Sequence, residues 1–137
     1  LPVHDDVEEE FQMVKDNWSK YDFFYVHIKR IDSFGEDGNF EGKKELIEQV
    51  DKHLPMLTDL GPAALAITGD HSTPALMKSH SWHPVPTLLS SPMCRPDQVK
   101  SFGETACLAG GLGPRLAATD ILPLLLAHAG RLDKYGA

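Results

Sequence analysis

Apolar and polar residues alternate along the first half of the chain with two different periods. Apolar side chains three or four residues apart predict a helix from Asp5 to Lys20 and a second from Glu41 to about Leu60, which Pro55 should kink or divide. β-Branched and aromatic residues predict a strand from Phe23 to Arg30. Residues 31–40 are rich in glycine and aspartate, and we expect them to form a loop.

The second half of the chain contains shorter apolar runs. Ala63 to Thr68 is almost continuously apolar, which is typical of a strand covered on both faces in a parallel sheet. A third strand is expected from Val85 to Leu89, with Pro86 favouring an edge position or a strand start. We also expect a short helix within Ser101–Gly110 and a final helix from Thr119, its predicted N-cap, to about Arg131. Helices alternating with strands predict an α/β fold, and 137 residues predict one segment, 1–137, without internal domain boundaries.

Charge, hydropathy, cysteine content and the first residues of the chain narrow the class of protein. The net charge of −7 argues against a nucleic-acid partner, which requires a basic surface. The apolar run Ile121–Ala127 is too short to span a membrane. Cys94 and Cys107 show no C-x-x-C spacing, which predicts reduced thiols in a cytoplasmic protein. The chain begins without Met and without a signal-peptide pattern, so we expect a processed product or a piece of a longer protein.

Potential metal ligands are concentrated between residues 67 and 86. Asp70 and His71 directly follow the predicted strand, and His80 and His83 follow within the same segment, although the chain has only seven histidines. Carboxylate and imidazole together suit zinc or manganese. The alternative is a Gly-Asp turn followed by surface histidines.

A second acidic pair follows the strand predicted from Phe23 to Arg30. Asp32 and Glu36 are four residues apart, in a loop that Gly35 would allow to pivot. Ligands of open α/β sheets gather at the carboxyl ends of strands, so parallel strands would bring Asp32 and Asp70 to one edge. A simple turn around Asp37 explains the same residues about equally well.

Other candidates are weaker. Ser72 lacks the G-x-S-x-G context of a nucleophilic serine, and the glycines of residues 110–113 lack the Lys-Ser/Thr of a phosphate-binding P-loop. His27 and Lys29 share one face of the predicted strand, and we assign both a structural role. Structural or solvated roles are also expected for His4, His53, His128 and a buried Cys107.

Four motifs occur in a specific order along the chain. They read HIKRIDSFGEDGNFEGKK, TGDHSTP, HSWHPVP and AGRLDKYGA. Together they resemble the archaeal-type, cofactor-independent phosphoglycerate mutases, which are metalloenzymes of the alkaline phosphatase superfamily. The resemblance extends from about Tyr21 to Ala137 and implies part of an alkaline-phosphatase-like layered sheet with flanking helices.

The resemblance also implies two divalent ions, manganese or zinc, with magnesium as a third candidate. Asp32 and His80 would bind one ion, and Asp70 and His71 the other. Glu36 stands where the related mutases usually have His, and would ligate through oxygen. The remaining histidine of the motif, at position 83, would only support the site.

The same resemblance implies that this chain is the C-terminal portion of a longer enzyme. The family's nucleophilic serine, a further metal-binding aspartate and the inserted glycerate-binding domain belong to an N-terminal part with no counterpart here. The expected activity of the whole is interconversion of 3-phosphoglycerate and 2-phosphoglycerate through a phosphoserine, with this segment inactive alone. The alternatives are a metal-dependent phosphatase or phosphodiesterase of the same superfamily, and a metal-binding module without catalysis.

Overall fold

The computed structural model describes residues 6–132, which form two compact units. Unit 1 contains residues 6–61 and 73–81 of the described chain, and unit 2 contains residues 62–72 and 82–132. The chain therefore leaves unit 1 after Gly61 and returns to it at Thr73. Among the residues described, no helix has the length and apolar character that a membrane crossing requires.

Unit 1 is helical and has a small apolar core. Its helices are α1 (Val7–Asn17), followed by a 3₁₀ turn (Trp18–Lys20), α2 (Arg30–Glu36), α3 (Phe40–His53) and α4 (Pro55–Thr58). Val7, Phe11 and Leu46 form the buried centre, and half-buried side chains such as Ile31 and Phe34 pack around it. Helices α1 and α3 thus bury the faces that their apolar periods predicted.

Both amphipathic helices of unit 1 are confirmed, with ends set by local chemistry. The Asp6 side chain accepts hydrogen bonds from the amides of Glu8 and Glu9 and so caps α1; the predicted start at Asp5 lies outside the described residues. Helix α3 ends at His53 and α4 begins at Pro55. The division falls where proline removes an amide donor from the helix.

Two predictions for residues 23–40 are wrong. Residues 23–28 form no strand within the described chain, because a strand requires a ladder partner and none pairs with them there. Residues 30–36, expected to be loop, form helix α2. Burial of Ile31 and Phe34 against the unit 1 core outweighs the turn signal of the glycines and aspartates.

Unit 2 contains a two-stranded sheet packed against a helix. Strand β1 (Leu65–Thr68) pairs with β2 (Thr87–Ser90). The strands are antiparallel, with Thr68 opposite Thr87, and the two threonine hydroxyls are 2.9 Å apart. The first of these strands was expected in a parallel sheet, but its partner among the described residues is antiparallel, because a short apolar run indicates burial and not strand direction. Strand β2 begins directly after Pro86, in agreement with the restriction that proline places on strands.

The helices of unit 2 lie in its C-terminal part. They are α5 (Glu104–Cys107), a 3₁₀ turn (Ala118–Asp120) and α6 (Ile121–His128). Ile121 and Leu124 of α6 line an apolar pocket together with Ala66 of β1 and Leu89 of β2. Thr119 is not the cap of α6, because it lies inside the 3₁₀ turn. Helices combined with a small sheet place the chain in the predicted α/β class.

Candidate metal-binding sites

Helix α2 places two carboxylates on one face. Asp32 and Glu36 are separated by four residues, which is about one helical turn, so their side chains are neighbours. The Asp32 side chain is only 10% exposed, whereas that of Glu36 is half-exposed. The two acids were expected in a loop, and the helix instead fixes their spacing.

His80 completes this cluster within unit 1. Its Nε2 atom lies 3.5 Å from Oδ1 of Asp32 and 3.5 Å from Oε1 of Glu36. Bonds of about 2.1 Å in a tetrahedral zinc site separate neighbouring ligand atoms by about 3.4 Å. The His80 nitrogen and a carboxylate oxygen of either acid are therefore spaced as two ligands of one divalent cation would be.

Thr73 and Lys43 hold the Asp32 carboxylate in place. The Thr73 hydroxyl donates to Oδ1 of Asp32 at 2.6 Å, and Thr73 is 3% exposed. The Lys43 ammonium in turn donates to the Thr73 carbonyl oxygen at 2.6 Å. Hydrogen bonds of this kind to a metal-binding carboxylate fix its orientation. Both residues lie inside motifs quoted above, Thr73 in TGDHSTP and Lys43 in HIKRIDSFGEDGNFEGKK, but their residue types alone do not identify them as supports for Asp32.

Gly35 allows Thr73 to approach helix α2. A Cβ atom at position 35 would lie 2.3 Å from the Thr73 carbonyl oxygen, far inside van der Waals contact. Gly35 is buried in the helix, so the pivot expected from the sequence is not its role. The glycine instead provides space for the segment that carries the threonine.

Lys29 was assigned a structural role, yet it contacts a predicted ligand. Its ammonium donates to Oδ2 of Asp32 at 2.6 Å, and its side chain is 60% exposed. Both oxygens of Asp32 therefore accept a hydrogen bond, one from threonine and one from lysine. The lysine supplies a positive charge that balances the largely buried carboxylate.

The second predicted pair lies in unit 2, directly after β1. Oδ1 of Asp70 accepts a hydrogen bond from the His71 amide at 3.0 Å. Oδ2 of Asp70 is 3.5 Å from Nε2 of His71. This separation again fits two ligands of one cation, and both side chains are partly exposed. The structure thus joins Asp70 with His71, as it joins Asp32 with Glu36 and His80.

The remaining histidines and cysteines have mainly structural surroundings. His83 stacks on Trp82, with ring centres 5.0 Å apart. His128 was expected to be structural or solvated, and its Nδ1 lies 3.6 Å from Sγ of Cys94. Cys107 is half-buried rather than buried, and both cysteines are free thiols.

A carboxylate accepts a backbone hydrogen bond from the glycine-rich residues 110–113. Asp97 accepts hydrogen bonds from the amide of Gly111 at 2.7 Å and from the amide of Val99 at 2.9 Å. These bonds, the one from Gly111 first, hold the pKa of Asp97 below its ordinary value. Because Asp97 already occupies the Gly111 amide, the structure agrees with the rejection of a phosphate-binding loop here.

Divalent-metal enzymes bind their ions through carboxylate and imidazole groups. This α/β fold carries two clusters of such side chains. A comparison with protein families agrees. Residues 3–128 match the model described as the Metalloenzyme superfamily, and the chain belongs to that family.

Several relatives with high similarity carry one name. A protein of Thermus thermophilus, named "Probable 2,3-bisphosphoglycerate-independent phosphoglycerate mutase", is 54% identical over 140 residues, covering 100% of this chain and 34% of the relative. Proteins of the same name from Thermosipho melanesiensis and Aquifex aeolicus are 55% and 53% identical, each over 96% of this chain and 32% of the relative. The chain thus spans about a third of the length of these relatives.

A solved structure shares the fold. The PH0037 protein from Pyrococcus horikoshii superposes with a TM-score of 0.89 and is 36% identical to this chain. The match covers 96% of this chain and 35% of the other. The architecture described above is therefore found inside a longer protein.

Proposed function

We propose that the chain is the C-terminal portion of a phosphoglycerate mutase, which interconverts 3-phosphoglycerate and 2-phosphoglycerate in glycolysis and gluconeogenesis. The observation that carries the proposal is the position of His80, whose Nε2 lies 3.5 Å from each of two carboxylates. The name shared by relatives more than 50% identical to the chain supplies the reaction. The whole enzyme would act in the cytoplasm, on a phosphorylated small acid rather than on nucleic acid or a membrane.

The proposed site holds two divalent ions, manganese or zinc, with magnesium as a third candidate. Asp32, Glu36 and His80 would bind one ion, and Asp70 and His71 the other. Such ions neutralise phosphate oxygens and make a coordinated hydroxyl nucleophilic near neutral pH. The expected nucleophile is a serine in the N-terminal part of the enzyme, so we assign no catalytic residue to this chain.

The residues of this chain position ligands before a cation binds. Thr73 fixes Oδ1 of Asp32, and Lys43 fixes the backbone of Thr73. Helix α2 sets the spacing of Asp32 and Glu36. The cluster in unit 1 is therefore organised on the Asp32 side, whereas the half-exposed side chains of His80 and Glu36 have room to adjust.

Calorimetric titration of the 137-residue chain with Mn²⁺ and Zn²⁺ tests the ligand assignment. Asp32→Asn and His80→Gln should each weaken binding by at least about tenfold, because each removes one ligand of the same ion. Glu48→Gln is the matched control, since Glu48 is an exposed acid on α3 that pairs with Lys44. If Asp32→Asn binds both ions as tightly as the control, the assignment to Asp32 is wrong.

Activity requires a longer chain. A chimera that joins the N-terminal part of the Thermus thermophilus relative to this chain should convert 3-phosphoglycerate to 2-phosphoglycerate, and the 137-residue chain alone should not. Measuring free phosphate in the same assay separates a mutase from a phosphatase. Phosphate release without isomerisation would contradict the proposed reaction and favour hydrolysis.

A further inference from the structure

The side chains of residues 23–28 are buried with a two-residue period. Phe24, Val26 and Ile28 are half-buried, and the residues between them are exposed. Among the exposed residues, Phe23 is 56% and Tyr25 75% accessible. Alternation of this kind is the side-chain pattern of an extended β-strand and not of an irregular loop.

Unit 1 holds one face of this segment. Val26 and Ile28 pack against the core formed by Val7, Phe11 and Leu46. The ring of Phe24 stacks on Trp18 with 5.5 Å between centres. The segment is therefore fixed in place through its even-numbered side chains.

The backbone of the same segment has no ladder in the described structure. No amide from Phe23 to Ile28 donates a hydrogen bond to a backbone oxygen of residues 6–132. The two-stranded sheet of unit 2 does not include the segment. A row of amides without ladder partners on a strand-like segment is a template for another strand.

The outward face is aromatic. Phe23 and Tyr25 are more than half-exposed, at 56% and 75%. Strands buried on both faces carry apolar residues in a continuous run, as Phe23 to Val26 do here, whereas strands at a water-covered face alternate apolar with polar. The exposed aromatic side chains of the odd-numbered face therefore indicate that another layer covers this face, in addition to a neighbouring strand.

We infer that residues 23–28 accept a β-strand from the N-terminal part of a longer mutase chain, and that the layer covering that strand packs on Phe23 and Tyr25. This inference rests on the proposal that the chain functions as the C-terminal portion of such an enzyme. The occupant is chosen because the relatives are about three times as long as the matched segment, which leaves about two thirds of their length to supply it. Strand addition satisfies the amides, and the aromatic side chains gain burial.

Amide hydrogen exchange, resolved by residue with NMR and measured without added metal, tests the inference. The 137-residue chain is compared with the chimera carrying the N-terminal part of the Thermus thermophilus relative. In the chimera, at least alternate amides between residues 23 and 28 should exchange about 100-fold more slowly or better, because one ladder protects every second amide. Equal rates in the two chains would overturn the inference. Protection that instead rises with concentration of the 137-residue chain alone would identify a second copy as the occupant and also overturn it.

A side-chain variant gives a second readout. Tyr25→Lys should leave the melting temperature of the 137-residue chain unchanged, because the ring is exposed there, and should lower that of the chimera by several degrees. Ile47→Lys is the control, since Ile47 is also exposed in unit 1 but lies on α3, whose backbone is already hydrogen-bonded. An equal, small effect of Tyr25→Lys in both chains would contradict docking at this face. Exchange is measured without metal, so its failure leaves the ligand assignment intact, and loss of ion binding would not remove the protection.

Discussion

Replacing Thr73 tests how far a single hydroxyl organises the Asp32 cluster. Thr73→Val keeps the shape of the side chain and removes the donor that lies 2.6 Å from Oδ1 of Asp32. A hydrogen bond to a charged group contributes about 1.5–3 kcal/mol to stability. Thr73 is 3% exposed and Asp32 10%, so water cannot easily replace the lost donor. We therefore expect unit 1 to lose about 1.5–3 kcal/mol of unfolding free energy.

The same substitution should affect ion binding. Loss of an oriented hydrogen bond to a metal ligand typically lowers affinity by about 10- to 100-fold. Thr73→Ser keeps the hydroxyl and removes one methyl group, so it should cost only about 1 kcal/mol in stability and leave Mn²⁺ affinity close to that of the unmodified chain. The pair of variants separates the role of the hydroxyl from the packing of the side chain.

Two measurements on the 137-residue chain test these expectations for stability and for ion binding. Urea unfolding is followed by the fluorescence of Trp18, which lies in unit 1, in a Trp82→Phe background that removes the tryptophan of unit 2. Mn²⁺ affinity is measured by calorimetry at constant pH. If Thr73→Val binds Mn²⁺ as tightly as Thr73→Ser, the hydroxyl does not position Asp32 for the ion, and that reasoning is refuted.

Two further predictions concern stability. Gly35→Ala should destabilise unit 1 by about 1–3 kcal/mol in urea unfolding, because the new Cβ would lie 2.3 Å from the Thr73 carbonyl oxygen; Gly103→Ala, which meets nothing within 4 Å, is the control, and equal effects would contradict the close packing. The lowered pKa of Asp97, caused first by the Gly111 amide, means that its contribution is complete above the ordinary value of 3.8 and is lost as the pH falls through the folded-state pKa. Thermal melting of unit 2 should therefore fall on acidification below about pH 4, less steeply in Asp97→Asn, and parallel curves would disprove the linkage.

Local periodicity was sufficient to predict the helices whose apolar faces meet the core. Helices α1 and α3 follow from apolar residues at helical spacing, and the break at Pro55 follows from the missing amide of proline. Helix α2 could not be predicted in this way, because its sequence around Gly35 carries turn signals. Only its packing against residues distant in the chain makes it helical.

The strand predicted at residues 23–28 shows a different limit. Its side-chain alternation is real, so the sequence correctly described its local geometry. Pairing depends on a second segment, and no residue between 6 and 132 supplies one. A sequence pattern can therefore specify the alternation of a segment without specifying the strand that pairs with it.

The candidate ligands were found by residue type, whereas the residues that support them were not. Asp32, Asp70 and His80 are recognisable because carboxylates and imidazoles near one another are uncommon. Thr73 is 41 residues from its partner Asp32, and no local pattern records such a contact. Supporting residues become visible only when the fold brings distant segments together.

The partners of Asp32 differ in how easily a cation could replace them. Lys29 is 60% exposed, and an ion pair on the surface contributes little net stability, so its release costs little. Thr73 is 3% exposed, and Lys43 donates a hydrogen bond to its carbonyl oxygen. The buried hydroxyl therefore cannot exchange Asp32 for water as its acceptor. A cation bound between His80 and Oδ1 of Asp32 should therefore share that oxygen with the threonine, whereas the lysine on Oδ2 can be released at little cost. Because lysine and threonine already satisfy the buried carboxylate, unit 1 does not depend on a metal ion to balance the charge of Asp32.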